Sequence, residues 1–294
     1  MEQLAHPAEA PRGGKVIALG SFDGVHLGHQ ALLRAALARA RQLDLPLLVY
    51  TFDPPGRTFF SGEPLLSERE EKLELLEELG VDLALVARFD AEFAQRSAQE
   101  FLEDLRALEA RWIYVGEDFR FGHRRQGGVE DLAQVAPVEP LPLLEWEGQP
   151  VKSSRIRALL QEARLDEVQA LLGRPYTARG RVIPGDQRGR TLGYPTANLA
   201  VAKNKALPRG AFAVWVKAPQ GRYKGMANVG VRPTVGGGEL RLEVHLFDFE
   251  GLLYGEVLEV AFIALLRPEQ RFASLDELRR QLARDAERAR ALLQ

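Results

Sequence analysis

The first half of the chain alternates short apolar runs with stretches of helical periodicity. The apolar runs have the length of buried strands and span residues 15–21, 45–52, 81–89 and 111–116. Between them, apolar positions recur three and four residues apart, as on one face of a helix, over residues 29–43, 67–80 and 97–108. Strands that are apolar throughout and alternate with helices are typical of a parallel sheet covered on both faces. We therefore predict an α/β domain with a parallel sheet over residues 15–173.

Two of these predicted helices open with a Ser-x-x-Glu pattern. Ser67 with Glu70, and Ser97 with Glu100, have the spacing of a capping box, in which each side chain bonds to the other residue's backbone N–H. Ahead of the first strand, residues 1–14 are polar and are predicted to form a loose leader.

The pattern changes near residue 173. There LLGRPYTARGRV places Gly, Pro and Gly between a helix and a strand-like run, which is typical of a linker. Beyond it, short apolar runs alternate with turns rich in Gly, Asp and Pro, and this spacing favours an antiparallel β-barrel. A third Ser-x-x-Glu pattern, at Ser274 and Glu277, begins a helix that closes the chain. The prediction is a second domain over residues 174–294.

Composition narrows the classes of function. The 294 residues are 46% hydrophobic and include no cysteine, which provides for two buried cores and excludes disulfides, thiolate metal sites and cysteine nucleophiles. A net charge of −2 disfavours a nucleic-acid partner. The sequence has no apolar run of membrane-spanning length and no signal-peptide core, so we expect a cytoplasmic protein without a membrane partner. Its oligomeric state is left open.

The stretch GSFDGVHLGHQ, residues 20–30, joins the first predicted strand to the first predicted helix. Ligands of open α/β sheets bind at this edge, and free N–H groups at a helix N-terminus favour phosphate. Gly28 lets an anion approach the backbone, and His26 and His29, three residues apart, can both point at it. The alternatives are a pair of surface histidines or a zinc site, although HExxH is absent and cysteine cannot contribute.

A second polar stretch is VKSSRIRALL, residues 151–160. It places the hydroxyls of Ser153 and Ser154 at a predicted helix start, with Arg155 and Arg157 close by. Hydroxyls, free helix N–H groups and guanidinium forks together make a triphosphate clamp. An ordinary N-cap followed by a solvated basic turn is the alternative.

Two further stretches combine glycine with aromatic or oxygen-bearing side chains. VGEDFRFGHRRQGG, residues 115–128, carries Phe119 and Phe121, which either line a ligand or plug the space under the loop. GDQRGRTLGYPTANL, residues 185–199, is not a Walker A loop. Its Thr196 and Asn198 offer the hard oxygen ligands that suit Mg²⁺, unless the segment is a plain turn with an Asn cap.

The last two stretches lie in the predicted barrel. In LRLEVHLFDF, residues 240–249, strict alternation places Glu243 and His245 on the face opposite the leucines, where they either act in a site or simply meet solvent. LLRPEQRFASLDEL, residues 265–278, carries Arg267 and Phe272, and core packing is the alternative role for Phe272.

In their order along the chain, these six stretches resemble motifs of the bacterial bifunctional riboflavin kinase/FAD synthetase family. GSFDGVHLGHQ is similar to the HxGH signature of nucleotidylyltransferases, and the others resemble (I/V)SSTxIR, GxDFxFG, PTAN, ExHxxDF and LRPExxF. The resemblance implies a Rossmann-like nucleotidylyltransferase domain followed by a riboflavin kinase barrel with a terminal helix. It implies that riboflavin is phosphorylated by ATP to FMN, and that FMN is adenylylated by a second ATP to FAD with release of pyrophosphate.

The resemblance also implies roles for individual residues. Glu243 would accept the proton of the riboflavin 5′-hydroxyl, and His26, His29 and Arg155 would neutralise ATP phosphates. The ATP contacts it implies are Gly20, Ser21, Phe22, Asp23, Gly24, Gly28, Ser153, Ser154, Arg157, Gly189, Arg190 and Gly193. The flavin contacts are Phe119, Phe121, Arg267 and Phe272. Mg²⁺, entering with ATP, would be held by Thr196 and Asn198.

Two segments depart from the family pattern. The family has Phe-x-Pro-His-Pro after the second strand, whereas FDPPGR places Pro55 and Gly56 at the last two positions. Lys152 replaces the first Ser of the second signature. Both departures lie in the adenylyl-transfer domain and bear on its rate or substrate fit.

The sequence leaves two other functions open. One is an adenylyltransferase for another mononucleotide or phosphopantetheine, sharing only HxGH, which the barrel motifs disfavour. The other is a flavin-binding protein that has lost its chemistry, which the retained Glu243, Thr196, Asn198 and paired histidines disfavour.

Overall fold

The apolar runs of the first half pair side by side into a parallel sheet. The computed structural model describes residues 1–185, 189, 192–234 and 237–294, and divides the chain into two units, Met1–Ser153 and Ser154–Gln294. The strands of the first unit are β1 Glu2–Leu4, β2 Lys15–Leu19, β3 Leu47–Asp53, β4 Leu83–Arg88, β5 Ala110–Gly116 and β6 Val138–Leu141. They form a six-stranded sheet in the order β1-β4-β3-β2-β5-β6, and every neighbouring pair is parallel.

Helices cover both faces of this sheet, as predicted. They are α1 Leu27–Leu43, α2 Gly56–Ser61, α3 Arg69–Glu78, α4 Ala98–Ala107 and α5 Val129–Leu132. Because successive strand residues point to opposite faces, Val16 of β2 packs in the core on the α1 and α3 side. Its neighbour Ile17 packs in the core on the α4 side. A short hairpin, β7 Glu145–Trp146 with β8 Gln149–Pro150, follows the sheet.

The strand order reverses at β2, whose neighbours are β3 and β5. The chain leaves β2 towards one side of the sheet and later returns to pair on its other side. At such a switch point the connections diverge and leave a crevice beyond the carboxyl ends of the strands, where ligands of open α/β sheets bind. The loop that follows β2 is GSFDGVH, so the topology places the predicted phosphate stretch at this crevice.

The prediction of a loose leader over residues 1–14 is wrong. Glu2–Leu4 pairs with β4 as a parallel edge strand, and Leu4 is buried in the sheet core. The terminal ammonium of Met1 pairs with Glu77, while the ammonium of Lys15 donates to the carbonyls of Pro11 and Gly13 at 2.6 and 2.7 Å. Polar composition did not reveal these contacts because their partners, such as β4 and Glu77, lie far along the chain.

The capping box predicted at Ser67 and Glu70 is also wrong, by one residue. The N-cap of α3 is Glu68, whose N–H donates to the Glu71 carboxylate at 2.7 Å. Ser67 is instead used by the loop after β2, because its Oγ accepts the N–H of Gly24 at 2.9 Å. The box at Ser97 and Glu100 is confirmed at the start of α4.

The second unit is built around a closed antiparallel barrel, as predicted. Two helices precede it, α6 Ser153–Gln161 and α7 Leu165–Leu172. The strands are β9 Tyr176–Ile183, β10 Ala197–Ala200, β11 Gly210–Ala218, β12 Gly221–Thr234, β13 Gly237–Leu246 and β14 Val257–Arg267. They close in the order β10-β13-β12-β11-β14-β9. The terminal helix α8, Leu275–Leu292, packs on β11, β12 and β14 after the predicted N-cap, Ser274.

Within the part of the chain that the structure describes, no helix has both the length and the apolar composition needed to cross a membrane.

The division after Ser153 assigns α6 and α7 to the barrel unit. Val168, Leu171 and Leu172 of α7 are buried, and the helix packs against β9 and β14. The domain boundary at residue 173 stays a prediction, since compactness alone does not establish which segments fold independently.

We expect residues 154–294 to fold more stably than residues 174–294, because loss of α7 uncovers β9 and β14. Burying one such side chain stabilises by about 1.5–3 kcal/mol. At roughly 4 °C per kcal/mol, loss of one such burial lowers the melting temperature by about 6–12 °C, and loss of all three lowers it further. Thermal melts of the two fragments measure this, and equal melting temperatures would show that α7 contributes nothing to the barrel.

Candidate active sites

The loop between β2 and α1 has an unusual backbone. Phe22, Gly24 and Val25 have φ values of 48°, 79° and 39°, in the left-handed region. Side chains other than glycine rarely adopt such values, and they persist where surrounding contacts impose them, often at functional sites. Here Phe22 and Val25 are both fully buried, so packing holds the loop in this form.

Buried hydrogen bonds fasten the same loop to the segment before α3. The Asp23 carboxylate accepts the N–H groups of Leu66 and Ser67 at 2.9 and 3.0 Å, and is itself buried. The Ser153 hydroxyl donates to the Asp23 carbonyl at 3.0 Å, which joins the beginning of the second polar stretch to the loop. Asp23, expected as an ATP contact, therefore uses its carboxylate to shape the loop.

The two histidines lie together at the N-terminus of α1. His26 is the N-cap, and its Nδ1 accepts the N–H of His29 at 3.3 Å. Their rings stack with centroids 3.6 Å apart and an interplanar angle of 16°, while the Phe22 ring packs on His29 in a T-shaped arrangement with centroids 5.2 Å apart. The proximity expected from the sequence is confirmed.

The charge state of His29 follows from its surroundings. Burial holds its pKa well below the ordinary value, and the nearby charges of His26 and Lys72 act in the same direction. His29 is therefore neutral at pH 7 and acts as an N–H donor or an acceptor, not as a cation. Its Nδ1 is buried and has no hydrogen-bond partner among the residues that the structure describes.

Gly28 stands in the first turn of α1, beside the N-cap. A Cβ at this position would lie 3.3 Å from the imidazole of His26 and 3.7 Å from the Val151 carbonyl. Any side chain here would press on the histidine pair, so glycine keeps both the pair and the helix N-terminus accessible.

The remaining residues of the second polar stretch have contrasting surroundings. Ser154 is exposed, Arg155 is half-buried and Arg157 is buried, all on α6. Lys152, which departs from the family pattern, forms a 3.3 Å ion pair with Asp118 of the loop after β5. The replacement therefore gives that loop a charged contact that a serine hydroxyl would not provide.

The loop after β5 holds the two phenylalanines expected to bind flavin. Phe121 is buried, with its ring 4.9 Å from Phe101, and Phe119 stacks on it at 5.9 Å. Phe121 therefore fills the space under the loop, which is the alternative role that the sequence allowed. Gly127 packs directly against its ring, where a Cβ would lie only 2.6 Å from the nearest ring atom.

An aromatic pocket of about 110 Å³ lies in the same unit and was missed by sequence reasoning. Phe60, Phe89 and Phe93 line it, with arginines at its edge. Phe60 and Phe93 have ring centroids 5.7 and 5.2 Å from that of Phe89. The sequence signal for this pocket was the pair of phenylalanines at residues 59–60. In the structure, the large apolar side chain of Phe60 is 70% exposed. The arginines that line the pocket are Arg96, Arg124 and Arg125.

The barrel unit contains a cavity of about 460 Å³. A row of polar side chains lines it, because Glu243 on β13 pairs in register with Asn198 on β10 and with Asn228 on β12. Thr196 lines the same cavity, and the Oδ1 atom of Asn198 is buried without a hydrogen-bond partner among the described residues. Asn228 was missed by sequence reasoning, because its position opposite Glu243 depends on strand register.

His245 fastens the PTAN segment to β13. Its Nδ1 is 2.7 Å from the carbonyl of Pro195, so this nitrogen carries the proton and donates. Burial lowers the pKa of His245, which keeps the ring neutral at pH 7. Thr196, the next residue after Pro195, is thereby held at the cavity.

Arg267 and Phe272, the flavin contacts implied by the family resemblance, both line this cavity. The guanidinium of Arg267 lies 5.2 Å from the Phe272 ring, and its Nε donates to buried Asp285 at 2.8 Å.

Gly189 also lines the cavity, and Gly193 has a φ of 84° in an exposed turn. Arg190 lies outside the described residues.

Comparison with known proteins agrees with this geometry. Residues 8–155 match the FAD synthetase family model, and residues 172–293 match the riboflavin kinase model. The bifunctional riboflavin kinase/FMN adenylyltransferase of Escherichia coli strain K12 is 39% identical over 96% of this chain and 94% of its own length. The protein of the same description from Haemophilus influenzae is 38% identical over 97% and 96%.

The chain belongs to the bifunctional riboflavin kinase/FMN adenylyltransferase family. It is a transferase, with the adenylyl-transfer domain before the kinase domain. A crystal structure from Streptococcus pneumoniae, described as a macrolide-efflux protein, shares the fold with a TM-score of 0.88, 33% identity and 98% coverage of both chains. The efflux activity in that description is said of that protein alone.

Gly24 offers a test of how strictly the adenylyl-transfer loop is shaped. A Cβ on Gly24 would lie 2.9 Å from Leu66, whereas one on Gly62, which also has a positive φ, would meet nothing within 4 Å. Gly24→Ala and Gly62→Ala should each lose about 1–2 kcal/mol of stability from the left-handed backbone. We expect only Gly24→Ala to lose FAD synthesis, by roughly tenfold or more, because only this variant displaces the loop. Equal FAD synthesis in the two variants, measured beside their thermal melts, would contradict this.

Proposed function

We propose that adenylyl transfer takes place at the crevice beyond β2, and riboflavin phosphorylation in the barrel cavity. The observation that carries the first assignment is the stacked His26–His29 pair at the N-terminus of α1, directly at the switch point of the sheet. The second assignment rests on the row of polar side chains in the barrel cavity, formed by Asn198, Glu243 and Asn228.

In the first site, the ATP phosphates lie against the N-terminus of α1, where free N–H groups and the helix dipole favour anions. Neutral His29 donates an N–H to the oxygens on which charge increases as the FMN phosphate attacks the α-phosphorus and pyrophosphate leaves. Ser153, whose hydroxyl bonds to the Asp23 carbonyl, extends the clamp within the first unit, and Arg155 stays a predicted contact of the ATP phosphates. Catalysis rests mainly on positioning and on charge neutralisation, without a covalent enzyme intermediate.

The aromatic pocket of the first unit is the best candidate for the isoalloxazine ring of FMN. Phe60, Phe89 and Phe93 supply aromatic surface, and Arg124 and Arg125 place positive charge at its edge for an anionic ligand. Phe119, partly exposed on the adjacent loop, remains a proposed contact, and Phe121 supports it from below.

In the barrel, Glu243 accepts the proton of the riboflavin 5′-hydroxyl as that oxygen attacks the γ-phosphorus and ADP leaves. Arg267 and Phe272 contact the flavin ring. Among the described residues no group of three or more His, Cys, Asp or Glu side chains could hold a metal ion by itself. The unpartnered Oδ1 of Asn198 and the Thr196 hydroxyl nevertheless fit Mg²⁺ that is shared with ATP phosphates. When bound, Mg²⁺ would neutralise phosphate charge.

The small molecules that follow from these activities are riboflavin, FMN, FAD and ATP. A cytoplasmic location and the absence of nucleic-acid and membrane partners stay predictions.

Glu243→Gln tests the barrel assignment, because it keeps the shape of the side chain and removes the base. With riboflavin and ATP, FMN formation should fall by roughly 10²–10⁴ in turnover. FAD formation from supplied FMN should stay within about twofold, since that reaction is in the other domain. Glu259→Gln is a matched control, because Glu259 lies on β14 and bonds to Arg179 instead of lining the cavity. Chromatography of the flavins measures both products, and wild-type turnover in Glu243→Gln would remove this residue from the mechanism.

His29→Ala tests the crevice assignment. Loss of one donor to the developing charge should lower FAD synthesis by about 10²–10³ in turnover, while riboflavin phosphorylation continues. His6→Ala is the control, because His6 also caps a short helix in this unit, accepting the N–H of Ala8 at 3.1 Å, and that helix packs against α4. If FAD synthesis survives in His29→Ala while the thermal melt collapses, the pair is structural and ATP binds elsewhere.

A further inference from the structure

A buried lysine lies beneath the loop that carries the histidine pair. Lys72, on α3, is 2% exposed. Its Nζ donates to the Phe52 carbonyl at 2.8 Å, to the Thr51 hydroxyl at 3.3 Å and to the Ser21 carbonyl at 3.4 Å. An ammonium group has three N–H donors, and each of them has one of these oxygens as its acceptor.

These acceptors place the ammonium at the carboxyl ends of two adjacent strands. Thr51 and Phe52 lie near the end of β3, and Ser21 is the second residue after β2. Thr51 also donates to the Ser21 carbonyl, at 3.1 Å. Lys72 and Thr51 therefore fasten the first residues of the loop to the neighbouring strand, at the switch point of the sheet.

A short path connects this fastening to the histidines. Ser21 is followed by Phe22, which has a left-handed backbone and a buried ring that packs on His29 in a T-shaped arrangement, with ring centroids 5.2 Å apart. A shift of the Ser21 carbonyl would move Phe22, and with it the surface against which the His26–His29 stack rests. Packed interiors transmit such shifts because they contain few voids.

The charge of Lys72 also needs an explanation. Burial of an ammonium is costly, and its direct partners are neutral oxygens. Burial lowers the pKa of Lys72 to about 8, although the more distant Asp53 and Asp23 favour the charged form. An apolar side chain would fill the same space without the desolvation cost of a buried charge. A cation beneath an anion-binding crevice, however, attracts the bound triphosphate.

We propose that Lys72 is a positioning residue of adenylyl transfer, which fixes the loop after β2 so that the histidine pair meets the ATP phosphates in one place. Its positive charge supplies attraction for the triphosphate that neutral His29 cannot supply. This inference rests on the proposed placement of ATP at His26 and His29.

The test compares two buried lysines of the same domain, Lys72 on α3 and Lys15 on β2. Lys72→Met keeps a long apolar side chain and removes the charge and the three donors. Lys15→Met is the matched control, because Lys15 is 1% exposed and donates to the Pro11 and Gly13 carbonyls at the amino end of β2. FAD and pyrophosphate are measured with FMN fixed and ATP varied, so that the kinase site contributes no turnover, and a thermal melt accompanies each variant.

In Lys72→Met we expect kcat/KM for ATP to fall about 10²-fold, with a clear rise in the KM for ATP, since misplacement of a reacting group by about 1 Å has such an effect. A loss of folded enzyme alone lowers kcat and leaves KM unchanged. Lys15→Met should keep the wild-type KM for ATP, and Lys72→Arg should recover part of the loss because it restores charge and donors. Phosphorylation of riboflavin should be unchanged in all three variants.

Thr51→Val is the second variant, for the case in which Lys72→Met does not fold. It removes one acceptor of Lys72 and the direct bond to Ser21 with little change of shape, and should raise the KM for ATP by a smaller factor, about 3–10-fold. An unchanged KM for ATP in Lys72→Met, or in Thr51→Val if only that variant folds, overturns the inference. An equal rise in Lys15→Met overturns it as well.

The outcomes also separate this inference from the proposed function. If His29→Ala lowers FAD synthesis and Lys72→Met keeps wild-type constants, ATP is placed as proposed and the inference about Lys72 fails. If His29→Ala keeps wild-type constants, the placement of ATP fails and takes the inference with it.

Discussion

The buried carboxylate of Asp23 is the interaction on which the candidate site of the first domain depends. It accepts N–H groups from Leu66 and Ser67, residues 43 and 44 positions later in the chain. A buried carboxylate without such donors would be strongly destabilising, so the loop after β2 and the segment before α3 form together or not at all. These hydrogen bonds hold the left-handed backbone at Phe22 and Val25 in place. That backbone in turn directs the loop towards the N-terminus of α1.

The two domains bring functional groups together by different geometries. In the first, a parallel sheet reverses its order at β2, and the site is made of loops and a helix end that meet beyond the strands. In the second, the candidate site is a cavity in the barrel unit, where antiparallel register sets Asn198, Glu243 and Asn228 side by side. Loops can bring together segments that are distant in the chain. In the barrel, by contrast, the distance between the side chains is set by the fixed separation of hydrogen-bonded strands.

Much of this organisation could be predicted from the sequence. The parallel sheet, the barrel and the terminal helix follow from hydrophobic periodicity, because apolar spacing reports which face of an element is buried. His26 and His29 could be placed together because they are three residues apart at the start of a helix, and Thr196 with Asn198 because they share one short segment. In each case the decisive relation lies within a few residues of the chain, where local geometry alone sets the distance.

Other features were decided only by the tertiary structure. Ser67 bonds to the loop at Gly24 instead of capping α3, and Phe121 packs in the core. Asn228 comes to Glu243 through strand register, and Lys72 reaches the end of β3 from the following helix. The sequence by itself determined the elements and the chemistry that each one carries. Which side chains share a site depended on contacts between segments far apart in the chain, and the spacing of residues along the chain contains no information about such contacts.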